Sequence, residues 1–438
     1  MLCIMRNPLP LLLLAFGSTA PGYAQTIELQ RAVQIEFPGS AGQYQVLEKS
    51  TDLSSWVPAA PGYFSPAGSV SHFFSAGTGN EYFRVASNDV EDLAAQLAPI
   101  RTTHNLPALG CAVVMSNQIV ALGVVGVRKQ GVTEPVTVND RWHHGSMTKS
   151  ATAVLAAKLV DEGVLTWGTK LVDIFPEHAD TRHAGWNPVT LEMLVTHSAG
   201  APGDLIPSGI WSQLNSHPGT DQEQRLLETR EVTKLAPRYT PGTQYEYANA
   251  GYAITGAIIE KVTGRSYREL IQEKVFGPLG MTTVGFGVPA TPRYVDQPWG
   301  HTFSGNTPVP VAPGNTSDNP AAHAPSGGMH CSLVDFARYI GFHTAGARGE
   351  HTLLQPATFE KLYTPVHSDY AMGWIILDRP WANGRAIYHN GSNTMWLTTV
   401  WIAPNRHWAV VVVTNIAGTP ANTATSQVVN AMINKFFP

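Results

Sequence analysis

Cysteine is scarce in this chain: only Cys3, Cys111 and Cys331 occur among 438 residues. Cys3 precedes the apolar stretch Leu9–Phe16, so it cannot be the lipidated residue of a lipoprotein signal, and two cysteines remain for the folded protein. An oxidising compartment permits Cys111 and Cys331 to pair without obliging them to. A domain this large needs no covalent staple, and two buried free thiols are expected. No Cys and His spacing resembles a zinc site, so His143-His144, and His178 with His183, read as ordinary polar residues. No metal and no cofactor is expected. Charge is also thin, at 14% of residues with a net of -4 and no run of Lys or Arg. That excludes the basic footprint of a nucleic-acid or anionic-membrane partner. Leu9–Phe16 is too short to span a bilayer. With Arg6 before it and Gly22-Tyr23-Ala24 ahead of Gln25, residues 1–24 read as an export signal. The expectation is a periplasmic or secreted protein with no membrane anchor once the signal is removed. Finally, Gly-x-Ser-x-Gly is missing, so the nucleophile elbow of the α/β-hydrolases is excluded.

What is present is enough apolar residue, 43%, for one large domain and a small one. Residues 26–86 show short strand patterns punctuated by turn residues and read as a small β-sandwich-like module. Its aromatics, among them Tyr44, Trp56, Tyr63, Phe73, Phe74, Tyr82 and Phe83, suit a core more than a ligand platform. A contact with a polymer through this module is the alternative. From Asn88 to about Thr103 the spacing of Leu93, Leu97 and Ile100 predicts a linker helix into a second domain over residues 90–437.

That domain begins with a hairpin pattern, Leu109–Met115 and Ile119–Val127, and ends with Ile387–His389, Leu397–Ile402, Trp408–Val413 and a helix from about Ala421. The last strands are almost continuously apolar, which predicts a sheet covered on both faces. Between them the chain is mostly helical. A helix opening at Ser146 stops at Gly163, and Ser266 to Glu269 and Ser332 to Asp335 resemble capping boxes. Strands from both ends enclosing a helical insertion predict an α/β domain and an all-helical domain with a cleft between them.

Ser146-Met-Thr-Lys149 puts a hydroxyl and an amine one helical turn apart. A desolvated Lys149 could take the proton of Ser146 and make it a nucleophile. Ser146 at a helix start would also offer its own N–H to a developing oxyanion. Two further motifs follow in order, Tyr247-Ala-Asn249 and His389-Asn-Gly391.

With these three motifs the chain resembles the serine β-lactamase and penicillin-binding-protein superfamily, in particular the class C-like branch that includes esterases and D-aminopeptidases. Leu191–Gly200, Gly251–Gly264, Phe276–Met281, Pro325–Gly328 and Met372–Trp374 extend the likeness over about residues 90–436. The resemblance implies an antiparallel sheet flanked by helices plus an all-helical part. It implies an acyl-enzyme at Ser146, with Lys149 and Tyr247 as the proton-handling pair. A neighbouring ammonium would favour the phenolate form of Tyr247. Asn249 would orient Lys149 and the substrate, and the N–H of Ser392 would be the second oxyanion donor. Gly391 would keep the strand edge clear for substrate. His197 holds its loop.

The triplet departs from the lysine-bearing pattern of β-lactamases. A histidine near its ordinary value of about 6.5 is mostly neutral at pH 7.5, so carboxylate binding is expected to be weak and to fall between about pH 5.5 and 8.5. The reading is an exported serine hydrolase acting on small esters or amides, with at most weak β-lactamase activity. The alternatives are a D-amino-acid peptidase and a slowly deacylating penicillin-binding or sensor-like protein. The cleft walls, residues 201–220 and 300–324, are too rich in Pro, Gly and Asn to predict.

Overall fold

Strands that lie far apart in the sequence are neighbours in the structure, a computed structural model describing residues 32–39, 44–52, 57–58, 63–64, 68–75, 82–88, 90–314 and 317–438. The expected export signal falls outside the described residues. The chain divides into two units, Met1–Glu91 and Asp92–Pro438.

In the first unit, Ala32–Gly39 pairs antiparallel with Gly68–Ser75. Tyr44–Ser50 pairs with Tyr82–Asn88 and with the short strands Val57–Pro58 and Tyr63–Phe64. Leu47 and Phe83 are buried. Most of the other aromatic side chains named for this module fall outside the described residues.

In the second unit, six of the seven strands of the main sheet run in the order Ile375–Arg379, Gly384–Ser392, Leu397–Ala403, Trp408–Thr414, Ala108–Met115 and Gln118–Gly126. Every pairing among these six is antiparallel. Ser116 and Asn117 turn the hairpin with φ of 48° and 67°, as a two-residue type I′ connection requires. Trp408–Thr414 is buried throughout, in keeping with its unbroken apolar sequence. Leu109, Cys111 and Val113 share one core with Leu97 of helix Ala94–Thr103 and Val428 of helix Thr419–Phe436. Gly110 faces the other way, where its missing side chain leaves room for Leu333 of helix Leu333–Gly346. Cys111 and Cys331 are free and buried.

The insertion packs helices Thr148–Asp161, Asp221–Lys234 and Asn249–Thr263 together. The first is buried on nearly all sides and ends at Gly163 with φ 71°. Arg225 and Glu260 join the other two through a buried pair of hydrogen bonds at 2.9 and 2.5 Å. Ser266 and Ser332 accept from the N–H groups of Glu269 and Asp335 as caps. The complete reciprocal capping box, Thr220 with Glu223, was not anticipated. Short strands accompany these helices. Arg141–His143, Met329–Ser332 and Gly285–Phe286 form a small antiparallel sheet, and Gly300–Ser304 pairs with Thr307–Val311.

Candidate active site

From strand Arg141–His143 the chain makes one tight turn over Gly145–Met147 and continues as helix Thr148–Asp161. Gly145 holds φ at 51°, and a Cβ there would lie 2.4 Å from the Ser392 nitrogen, so two constraints select glycine. Ser146 is half-buried and Lys149 is wholly buried. Lys149 Nζ lies 3.0 Å from Ser146 Oγ, 2.7 Å from Asn249 Oδ1 and 2.7 Å from the Ser326 carbonyl. The two shortest contacts go to groups that only accept. In a neutral amine they use both N–H bonds and leave the lone pair facing the Ser146 hydroxyl. Burial pushes Lys149 well below the ordinary lysine value, in the direction this arrangement needs.

Tyr247 lies beside Ser146 and Lys149, with its ring centre 4.8 Å from Lys149 Nζ. Its segment is held by His197, whose ring packs 4.3 Å from that of Tyr247 and whose Nδ1 accepts from the Ala248 N–H at 3.2 Å. His197 itself sits at φ 58°, with its carbonyl accepting from Glu246 N–H and Tyr239 Oη. Burial pushes the Tyr247 phenol upward and outweighs the opposing influence of the Ser146 hydroxyl. The expected tilt toward phenolate is therefore corrected: desolvation dominates, and the lysine that would have stabilised the anion is itself driven toward neutrality.

The triplet lies at the end of strand Gly384–Ser392. His389 is only 4% exposed, with Nδ1–H donating to the Asn390 carbonyl and its ring 5.9 Å from Tyr370. Burial is the main cause that lowers His389 to about 4. This corrects the expectation of an ordinary imidazole titrating between pH 5.5 and 8.5. Gly391 is also explained differently. A Cβ there would lie 2.1 Å from the His144 carbonyl, 2.7 Å from Met147 N and 2.9 Å from Ser146 N. The strand has no side chain at this point because it packs directly on the turn that carries Ser146. Ser392 is exposed, and its hydroxyl accepts from Thr394 N–H at 2.9 Å, so the side chain shapes a turn while its N–H sits beside Gly145.

Sequence reasoning missed the Ser326 carbonyl, although Pro325–Gly328 carries part of the family likeness. It also missed Tyr370, whose hydroxyl lies 3.2 Å from His197 Nε2. Beside Asn249 opens a cleft of 210 Å³ lined by Asp204, Leu205, Ile206, Trp211, Ala250 and His323, with no Lys or Arg among its lining residues. Part of this wall is a helix, Ile210–Ser216, in a stretch that sequence left undefined. Among the described residues no group of three or more His, Cys, Asp or Glu could hold a metal ion.

The family model described as Beta-lactamase matches residues 90–431. Penicillin-binding protein 4 of Amycolatopsis lactamdurans is 26% identical over 66% of this chain and 73% of its own length. Protein flp of Staphylococcus aureus strain N315 is 26% identical over 67% of this chain, which spans only 56% of that protein. An octameric penicillin-binding protein homologue from Pyrococcus abyssi superposes with a TM-score of 0.63 at 24% identity, covering 78% of this chain and 76% of that one. SurE does so with a TM-score of 0.64 at 19% identity, covering 79% and 75%. These two likenesses speak for the fold alone. The match across residues 90–431 places the chain in the Beta-lactamase family, the superfamily of serine β-lactamases and penicillin-binding proteins, as a serine hydrolase of that kind.

Proposed function

We propose that this protein is an exported serine hydrolase that passes through an acyl-enzyme at Ser146 and prefers uncharged esters or amides to carboxylate-bearing β-lactams. The observation that carries the reading is the setting of Lys149: buried, bonded on two sides to acceptors, and 3.0 Å from Ser146 Oγ. Lys149 takes the Ser146 proton as the hydroxyl attacks the carbonyl carbon. The N–H groups of Ser146 and Ser392 hold the oxyanion. Tyr247, kept as a phenol by burial, gives its proton to the leaving group and is reprotonated from Lys149. Water then releases the acyl group by the same path. The preference for uncharged substrates follows from His389, which at neutral pH presents no cation, and from the wall beside Asn249, which is largely apolar and carries Asp204 but no Lys or Arg to attract a carboxylate.

The test is Ser146→Ala with a fluorophosphonate probe and a panel of p-nitrophenyl esters, D-amino-acid p-nitroanilides and a chromogenic cephalosporin. Labelling should vanish, and turnover should drop by at least about a thousandfold. Labelling at the wild-type rate overturns the assignment. The likeness to a penicillin-binding protein favours a second reading, a slowly deacylating binder. A stoichiometric burst with every member of the panel, and no steady state, would select it.

A further inference from the structure

The segment around Asp318 belongs to none of the motifs, yet it reaches both halves of the site. His143, with a fully buried side chain, precedes the nucleophile turn. Its Nδ1 accepts from the Gly145 N–H at 3.1 Å, which leaves the ring proton on Nε2. Nε2–H donates to Asp318 Oδ2 at 2.9 Å. Asp318 Oδ1 accepts from Asn393 Nδ2 at 3.0 Å and from the Asn319 N–H at 2.8 Å. Asn393 Oδ1 in turn accepts from Met395 N–H at 3.3 Å. Burial alone would raise the Asp318 carboxyl, but the imidazole and the amide outweigh it and hold the group below the usual carboxylate range.

The chain of bonds is continuous from the residue before Ser146 to the residue after Ser392. Its ends flank the two N–H groups assigned to the oxyanion, and between them Gly145 touches the Ser392 backbone with no side chain to act as a spacer. Each atom of the relay is satisfied by the next, so a change at one end is transmitted to the other. We propose that His143, Asp318 and Asn393 are positioning residues that set the separation of the two oxyanion donors, so that the acylation rate depends on a carboxylate outside the catalytic motifs. The proposal rests on the reading of Ser146 as nucleophile and of Ser146 and Ser392 as the oxyanion donors.

A charge effect and a positioning effect have opposite signs here. A carboxylate near a developing oxyanion repels it, so neutralising Asp318 without moving anything would speed the reaction. As a relay member Asp318 must accept on both sides. In Asp318→Asn one of the two bonds is lost, because the amide turns an N–H toward either the imidazole or Asn393.

The experiment compares the full chain with D318N, N393A, their double variant and H143N, counting sites by the endpoint of fluorophosphonate labelling and expressing kcat per labelled site. D318N and N393A should each lower kcat per site by about 10- to 100-fold with KM within about twofold, since one donor is misplaced but not removed. The double variant should be no worse than the poorer single, because both break the same relay. H143N keeps an acceptor for the Gly145 N–H but is too short to reach Asp318, and should lose as much as D318N. If D318N does not fold, N393A and H143N decide between the two effects. Wild-type or raised kcat per site, or losses at Asp318 and Asn393 that simply multiply, overturns the proposal. A purely structural role would show as fewer labelled sites turning over at the normal rate. Ser146→Ala, run alongside, separates this outcome from a failure of the nucleophile assignment.

Discussion

Replacing Gly391 by alanine tests how closely the triplet strand and the nucleophile turn depend on each other. The added methyl would sit 2.1 Å from the His144 carbonyl and 2.7 Å from Met147 N, and both obstacles are backbone. Neither can swing away as a flexible side chain could. To restore ordinary contact the strand and the turn must part by roughly 1 Å, a misplacement that costs on the order of a hundredfold in rate when it falls on reacting groups. The overpacked junction should also lose about 1 to 3 kcal/mol of stability. The strand carries the Ser392 N–H and the turn carries Ser146, so the loss should fall on kcat and leave KM nearly unchanged. Ester hydrolysis with active-site titration gives the rate, and urea denaturation gives the stability. Gly168→Ala is the control, since the nearest atom to its Cβ would be 3.9 Å away. If G391A matches the wild type in rate and in unfolding midpoint, the direct packing of strand on turn is refuted, and with it the account of why this position is glycine.

Tyr247→Phe should lower kcat by about 10²- to 10⁴-fold with little change in KM, because the phenol moves a proton in the transition state. An unchanged kcat removes Tyr247 from the proton path. The ratio of cephalosporin to neutral-ester acylation should stay flat from about pH 5.5 to 8.5, because His389 is held at about 4; a sigmoid centred near 6.5 would show an ordinary, accessible imidazole. The same shift has a stability sign. The unfolded chain binds a proton at His389 that the folded chain refuses, so stability falls as pH drops from the ordinary imidazole value toward about 4, by at most about 3 kcal/mol from this residue. His301 and His330, also lowered to about 4, act in the same direction. Urea midpoints of the wild type and H389Q between pH 7 and 5 check this, and parallel slopes would contradict it. Deleting residues 26 to 86 should leave hydrolysis of a small soluble ester within about tenfold of the full chain, since every chemical motif lies beyond residue 140. A larger loss with the fold retained would make the module part of the site.

Long apolar runs were the legible part of the fold. Trp408–Thr414 and the hairpin after Ala108 announce themselves because a strand buried on both faces leaves no room for polar alternation. Ile375–Arg379 was missed: five residues ending in Asp and Arg carry too little pattern, and the edge of a sheet imposes little. Thr307–Val311 was hidden by Pro308 and Pro310, which a two-stranded ribbon tolerates on its open side. At the candidate site, Ser146, Lys149, Tyr247 and Asn249 were readable because the roles proposed for them fall on side chains, which residue identity records. The Ser326 carbonyl was not, since a backbone acceptor leaves no trace in residue identity. Gly391 was correctly singled out for the wrong reason: sequence can say that a side chain is forbidden, but only the structure shows which atoms forbid it. His389 was misjudged because its titration depends on burial, which a neighbouring Asn and Gly do not reveal.

The pairing of Ala108–Met115 with Trp408–Thr414 makes the central ladder of the sheet one of its most distant contacts in sequence. Closing it brings together segments about 300 residues apart, the kind of non-local contact that slows folding. An emerging chain can form the Ser146 helix and the surrounding helices early, but the triplet strand has no partner on its far side until Leu397–Ala403 follows, and that strand waits on Trp408–Thr414. The junction of Gly145 with Ser392, where the proposed oxyanion donors meet, is thus among the last features to be assembled. A truncated or stalled chain would hold a buried lysine and a serine without the strand that completes them, so hydrolytic competence itself reports that the sheet has closed.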